Sequence, residues 1–175
     1  MSVAPPSPFV VKHLNLITHG GHVLDLACGQ GRHTRLLLEH GFRVTAVDIN
    51  VDGIGDLEGH SQLRSLSLDM EEPDDPWPVS RHVTEPFDGI VVTNYLHRPQ
   101  FPHIKTSLKP AQGLLIYETF MAGNERYGKP SNPRFLLRED ELTDAFADFT
   151  ILAFEQGFRD TPSPAMVQSL CARAT

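Results

Sequence analysis

A glycine-rich turn at residues 25–32 (Asp-Leu-Ala-Cys-Gly-Gln-Gly-Arg) follows a short apolar segment and precedes a segment with helical periodicity. Gly29 and Gly31 would allow a sharp strand-to-helix turn and let a ligand approach the backbone, where the first N–H groups of the helix are free. The turn departs from the dinucleotide pattern GxGxxG, because Thr34 occupies the position of the third small residue. The turn predicts a ligand site; the alternative is a tight turn in a fold without a ligand.

Two carboxylates follow at the ends of the next two predicted strands. Asp48, nineteen residues after Gly29, could accept hydrogen bonds from both hydroxyls of an adenosine ribose. The alternative is an N-cap for the next helix, a role that Asn50 could also fill. Asp69 could accept the amino group of adenine while its neighbour Met70 supplies a backbone N–H and an apolar face. Helix capping or plain solvation is the alternative for Asp69.

Two polar clusters follow the fourth and fifth predicted strands. Ligands of open α/β sheets bind beyond the carboxyl ends of the strands, so both clusters would face one site. A substrate hydroxyl or ammonium group that must lose a proton to react would need a general base there, and His97 and Tyr127 are the candidates. The alternatives are a surface histidine before a proline turn and an exposed loop packed by one aromatic ring. The remaining candidates for substrate binding are Tyr95, Arg98, Glu118 and Arg126.

Apolar periodicity predicts strands that alternate with helices from residue 22 to residue 150, which requires a mostly parallel sheet covered on both faces. The predicted strands are 22–28, 43–49, 63–69, one within 87–96, 114–120, 151–156 and 166–173. The predicted helices are 7–19, 32–40, 51–60, 101–108 and 142–149, and three glycines weaken the one at 51–60.

The last two predicted strands are joined by about nine turn-like residues, 157–165, too few for a helical crossover, so they should form an antiparallel hairpin. We expect an α/β, Rossmann-like three-layer sandwich whose seven-stranded, mostly parallel sheet ends in that hairpin. It should be a single domain over residues 1–175, with an N-terminal helix at 7–19 and a core at 22–175.

Composition and charge narrow the function classes. Fifteen basic against twenty-two acidic residues give a net charge of −7, which disfavours a nucleic-acid partner. Cys28 and Cys171 lack CxxC spacing, and His97 with His103 lacks helical ligand spacing, so we expect no disulfide framework and no metal site. No apolar run approaches the ~18 residues of a membrane span, and the N-terminus lacks a secretory signal. A cytoplasmic location and no membrane partner are expected.

Residues 23–31 (Val-Leu-Asp-Leu-Ala-Cys-Gly-Gln-Gly) resemble motif I of the class I S-adenosylmethionine-dependent methyltransferases. Asp48 matches the ribose-binding acidic residue of that family, Asp69 its adenine-contacting residue and Asn94 the end of its fourth strand. Residues 109–113 resemble its Lys-Pro-Gly-Gly turn, and the closing hairpin is typical of it. The resemblance spans residues 7–173, and the form Cys-Gly-x-Gly-Arg-His is similar to the small tellurite-resistance-like branch.

The resemblance implies S-adenosylmethionine as the cofactor and S-adenosylhomocysteine as its product, with no metal. The cofactor-binding residues it implies are Asp25, Ala27, Cys28, Gly29, Gly31, His33, Asp48, Ile49, Asp69, Met70 and Asn94. Ala27 departs from the family pattern, which has its first glycine there. Residues 94–99 lack the Asn-Pro-Pro-Tyr motif of enzymes that methylate amino groups of nucleic acids, in agreement with the charge.

The expected function is methyl transfer to a small-molecule acceptor. The 175 residues leave no room for a separate recognition domain, which indicates a compact acceptor or a surface supplied by a partner. A non-catalytic S-adenosylmethionine-binding or partner protein with the same fold is the alternative. A nicotinamide-dependent dehydrogenase is disfavoured by Thr34 and by the closing hairpin. The acceptor, its attacking atom, and the choice between monomer and homodimer stay open.

Overall fold

The computed structural model of the chain describes residues 3–175 and contains one seven-stranded sheet with the order β3-β2-β1-β4-β5-β7-β6. The strands are β1 (His22–Leu26), β2 (Arg43–Asp48), β3 (Leu63–Ser67), β4 (Gly89–Thr93), β5 (Leu114–Phe120), β6 (Thr150–Arg159) and β7 (Ala165–Arg173). The first five strands are parallel, and β7 is antiparallel to both β5 and β6. The predicted sheet with its closing hairpin is confirmed.

The central strands of the sheet are buried on both faces, as expected for parallel strands, whereas the edge strands β3 and β6 are largely exposed. Every residue of β1 and of β4 is buried. The helices are α1 (Pro8–His13), α2 (Arg32–Glu39), α3 (Phe101–Ser107) and α4 (Glu141–Ala145). Side chains of α1 and α2 belong to the apolar cluster on one face, and those of α3 and α4 to the cluster on the other. The three-layer arrangement is therefore confirmed.

The first and third predicted helices are shorter than expected. The N-terminal helix, predicted for 7–19, is capped by the Ser7 hydroxyl and spans Pro8–His13, followed by a 3₁₀ turn at Leu14–Leu16. It ends where Ile17 takes an extended backbone. The segment at 51–60 forms only a 3₁₀ helix, Asp52–Leu57. Gly53 is required there by space, because a Cβ would lie 2.9 Å from the Cα of Gln30.

The closing hairpin has longer strands and a shorter turn than predicted. Residues 157–159 continue β6 and pair with residues 165–167 of β7, so only residues 160–164 turn. A β-bulge between Ile151 and Ala153 shifts the register of β6, and such a shift is invisible to a count of alternating residues. The helix predicted at 142–149 begins one residue earlier and ends at Ala145, although Phe146 is buried as expected.

Among residues 3–175 no helix is both long and apolar enough to cross a membrane.

Candidate active site

A cleft of about 760 Å³ opens at the carboxyl ends of β1, β2 and β4. This is the point where the strand order reverses on either side of β1, which is where open α/β sheets bind ligands. A second cleft of about 440 Å³ continues from it toward the end of β3. The two clefts share Ala27, Asp48 and Tyr95 as walls, so they form one groove.

The glycine-rich turn forms the floor of the first cleft. Ala27, Cys28 and Gly29 line it, and the backbone of Ala27 has a φ of 58°, in the left-handed region that glycine prefers. A Cβ on Gly29 would meet no atom within 4 Å, so the space above this residue is open. Gly31 serves packing instead, because a Cβ there would lie 2.1 Å from the side chain of Ile54.

Asp48 lies at the junction of the two clefts and braces the turn. The N–H of Gly29 donates a hydrogen bond of 2.9 Å to Oδ2 of Asp48, and the N–H of Asn50 donates to Oδ1 at 3.3 Å. Ionised carboxylates have about four lone-pair sites, so acceptor capacity remains toward the cleft. Neither Asp48 nor Asn50 is the N-cap of the 3₁₀ helix, because Val51 occupies that position; the side chain of Asn50 accepts the N–H of Asp52 one residue further on.

The second cleft is walled by the three predicted residues Ile49, Asp69 and Met70. Ile49 is 68% exposed and offers an apolar face. Asp69 accepts the N–H of Glu71 at 2.9 Å, and the carbonyl oxygen of Met70 accepts a hydrogen bond from the Gln100 side chain. An apolar wall beside a carboxylate suits a flat ring that carries an amino group.

Besides Gly31, the predicted cofactor residues Asp25 and His33 lie outside both clefts. Asp25 is buried below the turn, and burial raises its pKa to about 6 although the Thr34 hydroxyl donates to it at 2.6 Å. The His33 ring is buried between the Ser7 N–H, 3.0 Å from Nε2, and Thr93 Oγ1, 3.2 Å from Nδ1. Burial lowers the pKa of His33 to about 3, so the ring is neutral. Both residues support the site from beneath.

Several cleft residues were not predicted from the sequence, among them Leu68, Glu71 and Thr93 at the strand ends. Gln30 and Arg32 line the first cleft and lie inside the motif that was singled out, so their neighbours could have indicated them. Val3 and Ala4 also line it, and no sequence pattern indicates this. Two hydrogen bonds hold the N-terminal segment beside the cleft. The N–H of Ser7 donates to Nε2 of His33 at 3.0 Å, and the guanidinium of Arg32 donates to the carbonyl oxygen of Pro5 at 3.3 Å.

Asn94 and Tyr95 continue β4 into the wall of the groove. Asn94 has a φ of 55°, and its N–H donates to the carbonyl oxygen of Glu118. Tyr95, predicted to bind substrate, lines both clefts, and burial raises the pKa of its phenol. Its hydroxyl is buried and has no hydrogen-bond partner among residues 3–175. Cys28 is a buried thiol whose pKa is also raised by burial.

Arg98, predicted to bind substrate, is partly exposed and is bonded to α4 and the loop before it. Its guanidinium makes four hydrogen bonds, two to the buried carboxylate of Glu141 and one each to the carbonyl oxygens of Arg134 and Leu136. The side chain therefore fastens α4 and the preceding loop to the end of β4. This contact explains why Arg98 lines neither cleft.

The other predicted acceptor residues lie apart from one another. His97 is half-buried, with Nδ1 3.7 Å from the carboxylate of Glu71. Arg126 and Tyr127 are exposed on the loop after β5, and neither they nor His97 line the groove. Glu118 lines a separate pocket between the start of α1 and the closing hairpin. Among residues 3–175 no group of three His, Cys, Asp or Glu side chains could hold a metal ion.

Comparison with known proteins gives one family. The model of the family described as "Tellurite resistance protein TehB" matches residues 7–160. A curated relative, described as "Probable S-adenosyl-L-methionine-dependent methyltransferase TehB" from Haemophilus influenzae, is 27% identical over 139 residues. That match covers 77% of this chain and 48% of the relative, so the chain spans about half the length of the curated relative.

Solved structures share the fold. The crystal structure of TehB from Haemophilus influenzae superposes with a TM-score of 0.77 at 20% identity, covering 97% of this chain and 63% of that one. A second is the 1,6-didemethyltoxoflavin-N1-methyltransferase of Burkholderia thailandensis, solved with 1,6-didemethyltoxoflavin and S-adenosylhomocysteine. Its TM-score is 0.69 at 23% identity, and the match covers 95% of this chain and 76% of that one.

Proposed function

The chain belongs to the TehB family of class I methyltransferases, and on that premise we propose that it transfers a methyl group from S-adenosylmethionine to a small-molecule acceptor. The observation that carries the proposal is the groove at the strand-order reversal, with Asp48 held on the N–H of Gly29 at its centre. A carboxylate at this position, between a glycine turn and an apolar wall, suits an adenosine.

The residues present fit such a ligand. The open space above Gly29 admits it close to the backbone, and the side chain of Tyr95 walls both clefts. Asp48 would accept from the ribose hydroxyls, Asp69 and Met70 would hold the adenine, and Ile49 would cover its face. When bound, the cofactor would supply a methyl group carried on a positively charged sulfur. A lone pair of the acceptor would bond to the methyl carbon as the carbon–sulfur bond breaks, and the sulfur would keep that electron pair as a neutral thioether.

The chain's own contribution would be alignment and exclusion of water. In-line displacement needs the two reactants in the right geometry, and fixed positioning of this kind supplies much of the rate enhancement. His97 and Tyr127 are proposed as general bases for an acceptor that carries a proton, and Arg126 as a contact to the acceptor. Neither His97 nor Tyr127 lies in the groove, so this role requires the acceptor to extend beyond it.

A small acceptor is supported by the net charge of −7, which disfavours a phosphate backbone. A cytoplasmic location stays a prediction. The second candidate function is a cofactor-binding protein without turnover, and the observation that favours it is the absence of His97, Arg126 and Tyr127 from the groove walls.

Thermal unfolding with S-adenosylmethionine, S-adenosylhomocysteine, NAD and no ligand tests the proposal. A ligand at 100 times its dissociation constant stabilises by about 2.7 kcal/mol, which should raise the midpoint by roughly 5–10 °C for a domain of this size. We expect a rise with the two adenosyl compounds and none with NAD. A rise with NAD alone, or with none of the three, would contradict the proposal.

A further inference from the structure

The two ends of the groove carry opposite charges. Of the side chains of residues 3–175 that line the two clefts, only that of Arg32 is basic, and it borders the first cleft. Acidic side chains border the second cleft at Asp48, Asp69 and Glu71. Asp48 also borders the first cleft. A ligand that extends from the second cleft past Asp48 would therefore meet three carboxylates first and a guanidinium last.

Arg32 is half-buried and has no anionic partner within the protein. Its Nη1 donates a hydrogen bond of 3.3 Å to the carbonyl oxygen of Pro5, which is a neutral acceptor. Arg32 makes no ion pair with any carboxylate of residues 3–175. Taking a charge out of water is costly unless a partner replaces the water. An unpaired guanidinium in the wall of a ligand groove therefore indicates an anionic group on the ligand.

The neighbouring carboxylates are engaged by other residues. Both oxygens of Glu118 accept hydrogen bonds, one from Arg159 at 2.7 Å and one from the Ser169 hydroxyl at 2.8 Å. Asp25 is buried beneath the glycine-rich turn, where burial raises its pKa to about 6. These carboxylates act on Arg32 through space without bonding to it, so its guanidinium keeps N–H groups for a ligand.

The unused N–H groups of Arg32 are accessible. Nε and Nη2 have no hydrogen-bond partner among residues 3–175, and neither is buried away from solvent. The next arginine of α2 differs, because both Nη atoms of Arg35 bond to Asp56 and its Nε is buried. Nε and Nη2 lie on one edge of the guanidinium plane, and this edge matches the two oxygens of a carboxylate.

The proposed cofactor has a carboxylate at the end that would reach Arg32. With adenine beside Asp69 and the ribose on Asp48, the substituent on the 5′ carbon of the ribose extends away from adenine into the first cleft. In S-adenosylmethionine and S-adenosylhomocysteine this substituent contains the sulfur and ends in an ammonium and a carboxylate. The cleft has a volume of about 760 Å³, which is in the range of small-ligand sites.

We propose that Arg32 binds the carboxylate at the amino-acid end of the adenosyl ligand through Nε and Nη2, and that this contact makes the site selective for adenosyl compounds that carry the carboxylate. The inference rests on the proposed function, because it takes the groove as the cofactor site. It adds a specificity-determining residue, whose guanidinium is oriented by its hydrogen bond to Pro5. A ligand without the carboxylate would leave the charge of Arg32 unpaired.

Calorimetry on the full chain with three ligands tests the proposal. S-adenosylhomocysteine has the complete amino-acid end, S-adenosyl-3-thiopropylamine keeps the ammonium and lacks only the carboxylate, and 5′-methylthioadenosine lacks both groups. We expect the wild type to bind S-adenosylhomocysteine roughly tenfold or more tightly than S-adenosyl-3-thiopropylamine, as hydrogen bonds between charged groups usually provide. This comparison needs no variant, so it stays decisive if an Arg32 variant does not fold.

Variants of Arg32 assign the selectivity to this side chain. Arg32→Gln should weaken S-adenosylhomocysteine by roughly tenfold or more and leave S-adenosyl-3-thiopropylamine and 5′-methylthioadenosine almost unchanged. Arg32→Lys keeps the charge but loses the paired N–H groups, so its affinity for S-adenosylhomocysteine should be intermediate. Arg138→Gln is the control, because that side chain is 82% exposed, and all three affinities should stay the same.

The outcomes separate the two proposals. Equal wild-type affinity for S-adenosylhomocysteine and S-adenosyl-3-thiopropylamine would overturn the inference alone. So would an Arg32→Gln protein that keeps its affinity for S-adenosylhomocysteine, or one that loses 5′-methylthioadenosine to the same extent. Failure of the wild type to bind S-adenosylhomocysteine would overturn the proposed function and this inference with it.

Discussion

The hydroxyl of Thr34 donates a hydrogen bond of 2.6 Å to the buried carboxylate of Asp25. It joins the first turn of α2 to the fourth residue of β1 directly beneath the glycine-rich turn. Thr34 occupies the position at which a dinucleotide-binding turn would have its third small residue. The Thr34 side chain therefore bonds α2 to β1, whereas a glycine at this position would allow close packing of the two elements without a hydrogen bond between them.

Asp25 makes the stability of the fold depend on pH. Burial raises the pKa of the folded state to about 6, above the ordinary value near 4, so the folded chain binds more protons between these values. The free energy of unfolding should therefore be larger below pH 4 and fall as pH rises through 6. Relative to that of the Asp25→Asn protein, the free energy of unfolding of the wild type should fall by roughly 2–3 kcal/mol between pH 4 and pH 6.

Urea unfolding of both proteins from pH 4 to pH 8 measures this difference. Asp52→Asn, at an exposed aspartate, is the control and should follow the wild type. Parallel curves for wild type and Asp25→Asn would show that Asp25 does not titrate in this range.

Asp48 should contribute directly to cofactor affinity. Asp48→Ala removes an acceptor for the ribose hydroxyls and also releases the N–H of Gly29. We expect a loss of roughly 1.5–3 kcal/mol in binding of S-adenosylhomocysteine, the usual effect for hydrogen bonds to a charged group. Calorimetry measures it, with Asp52→Ala as the control. Unchanged affinity in a folded Asp48→Ala protein would remove Asp48 from this role.

Ala27 should be a position where glycine stabilises the protein. Its φ of 58° places an L-residue in the left-handed region, and this backbone strain costs about 1–2 kcal/mol. Glycine would remove the strain, while its greater freedom in the unfolded chain usually costs only ~0.5–1 kcal/mol. Ala27→Gly should therefore gain about 0.5 kcal/mol in urea unfolding. Ala145→Gly, at the last residue of α4, should lose stability instead. A loss in both variants would contradict the strain at Ala27.

Arg98 should be needed for stability and not for cofactor binding. Arg98→Ala leaves the buried carboxylate of Glu141 without its main partner. The free energy of unfolding should drop by about 1–3 kcal/mol, while affinity for S-adenosylhomocysteine stays the same. Arg126→Ala, on the exposed loop, should have almost no effect on stability. Full stability of Arg98→Ala would return Arg98 to the acceptor-binding role that the sequence predicts.

The sequence predicts the fold well wherever local signals are strong. The bounds of β5, 114–120, agree with the structure because both ends carry clear breaks. The prediction at 51–60 was less accurate, since apolar spacing alone does not distinguish an α-helix from a short 3₁₀ segment when glycines intervene. The prediction of a turn at 157–165 was wrong because β6 continues through Gly157.

The site is predictable only in part, for a physical reason. The approach of Asp48 to Gly29 follows from the rule that parallel strands end at one edge of the sheet. The pairing of Arg98 with Glu141 joins residues 43 positions apart, and the bond from Ser7 to His33 joins residues 26 apart. Such contacts depend on how loops fold back over the sheet, and no residue type or local spacing reveals them.

The bond between Gly29 and Asp48 has a consequence for the kinetics of ligand capture. The side chain of Asp48 fixes the glycine-rich turn before any ligand binds. The conformational entropy of the turn's backbone is therefore lost during folding and not during binding. Association with the adenosyl ligand should then be a single step, whose observed rate rises linearly with ligand concentration and shows no plateau from a slow rearrangement.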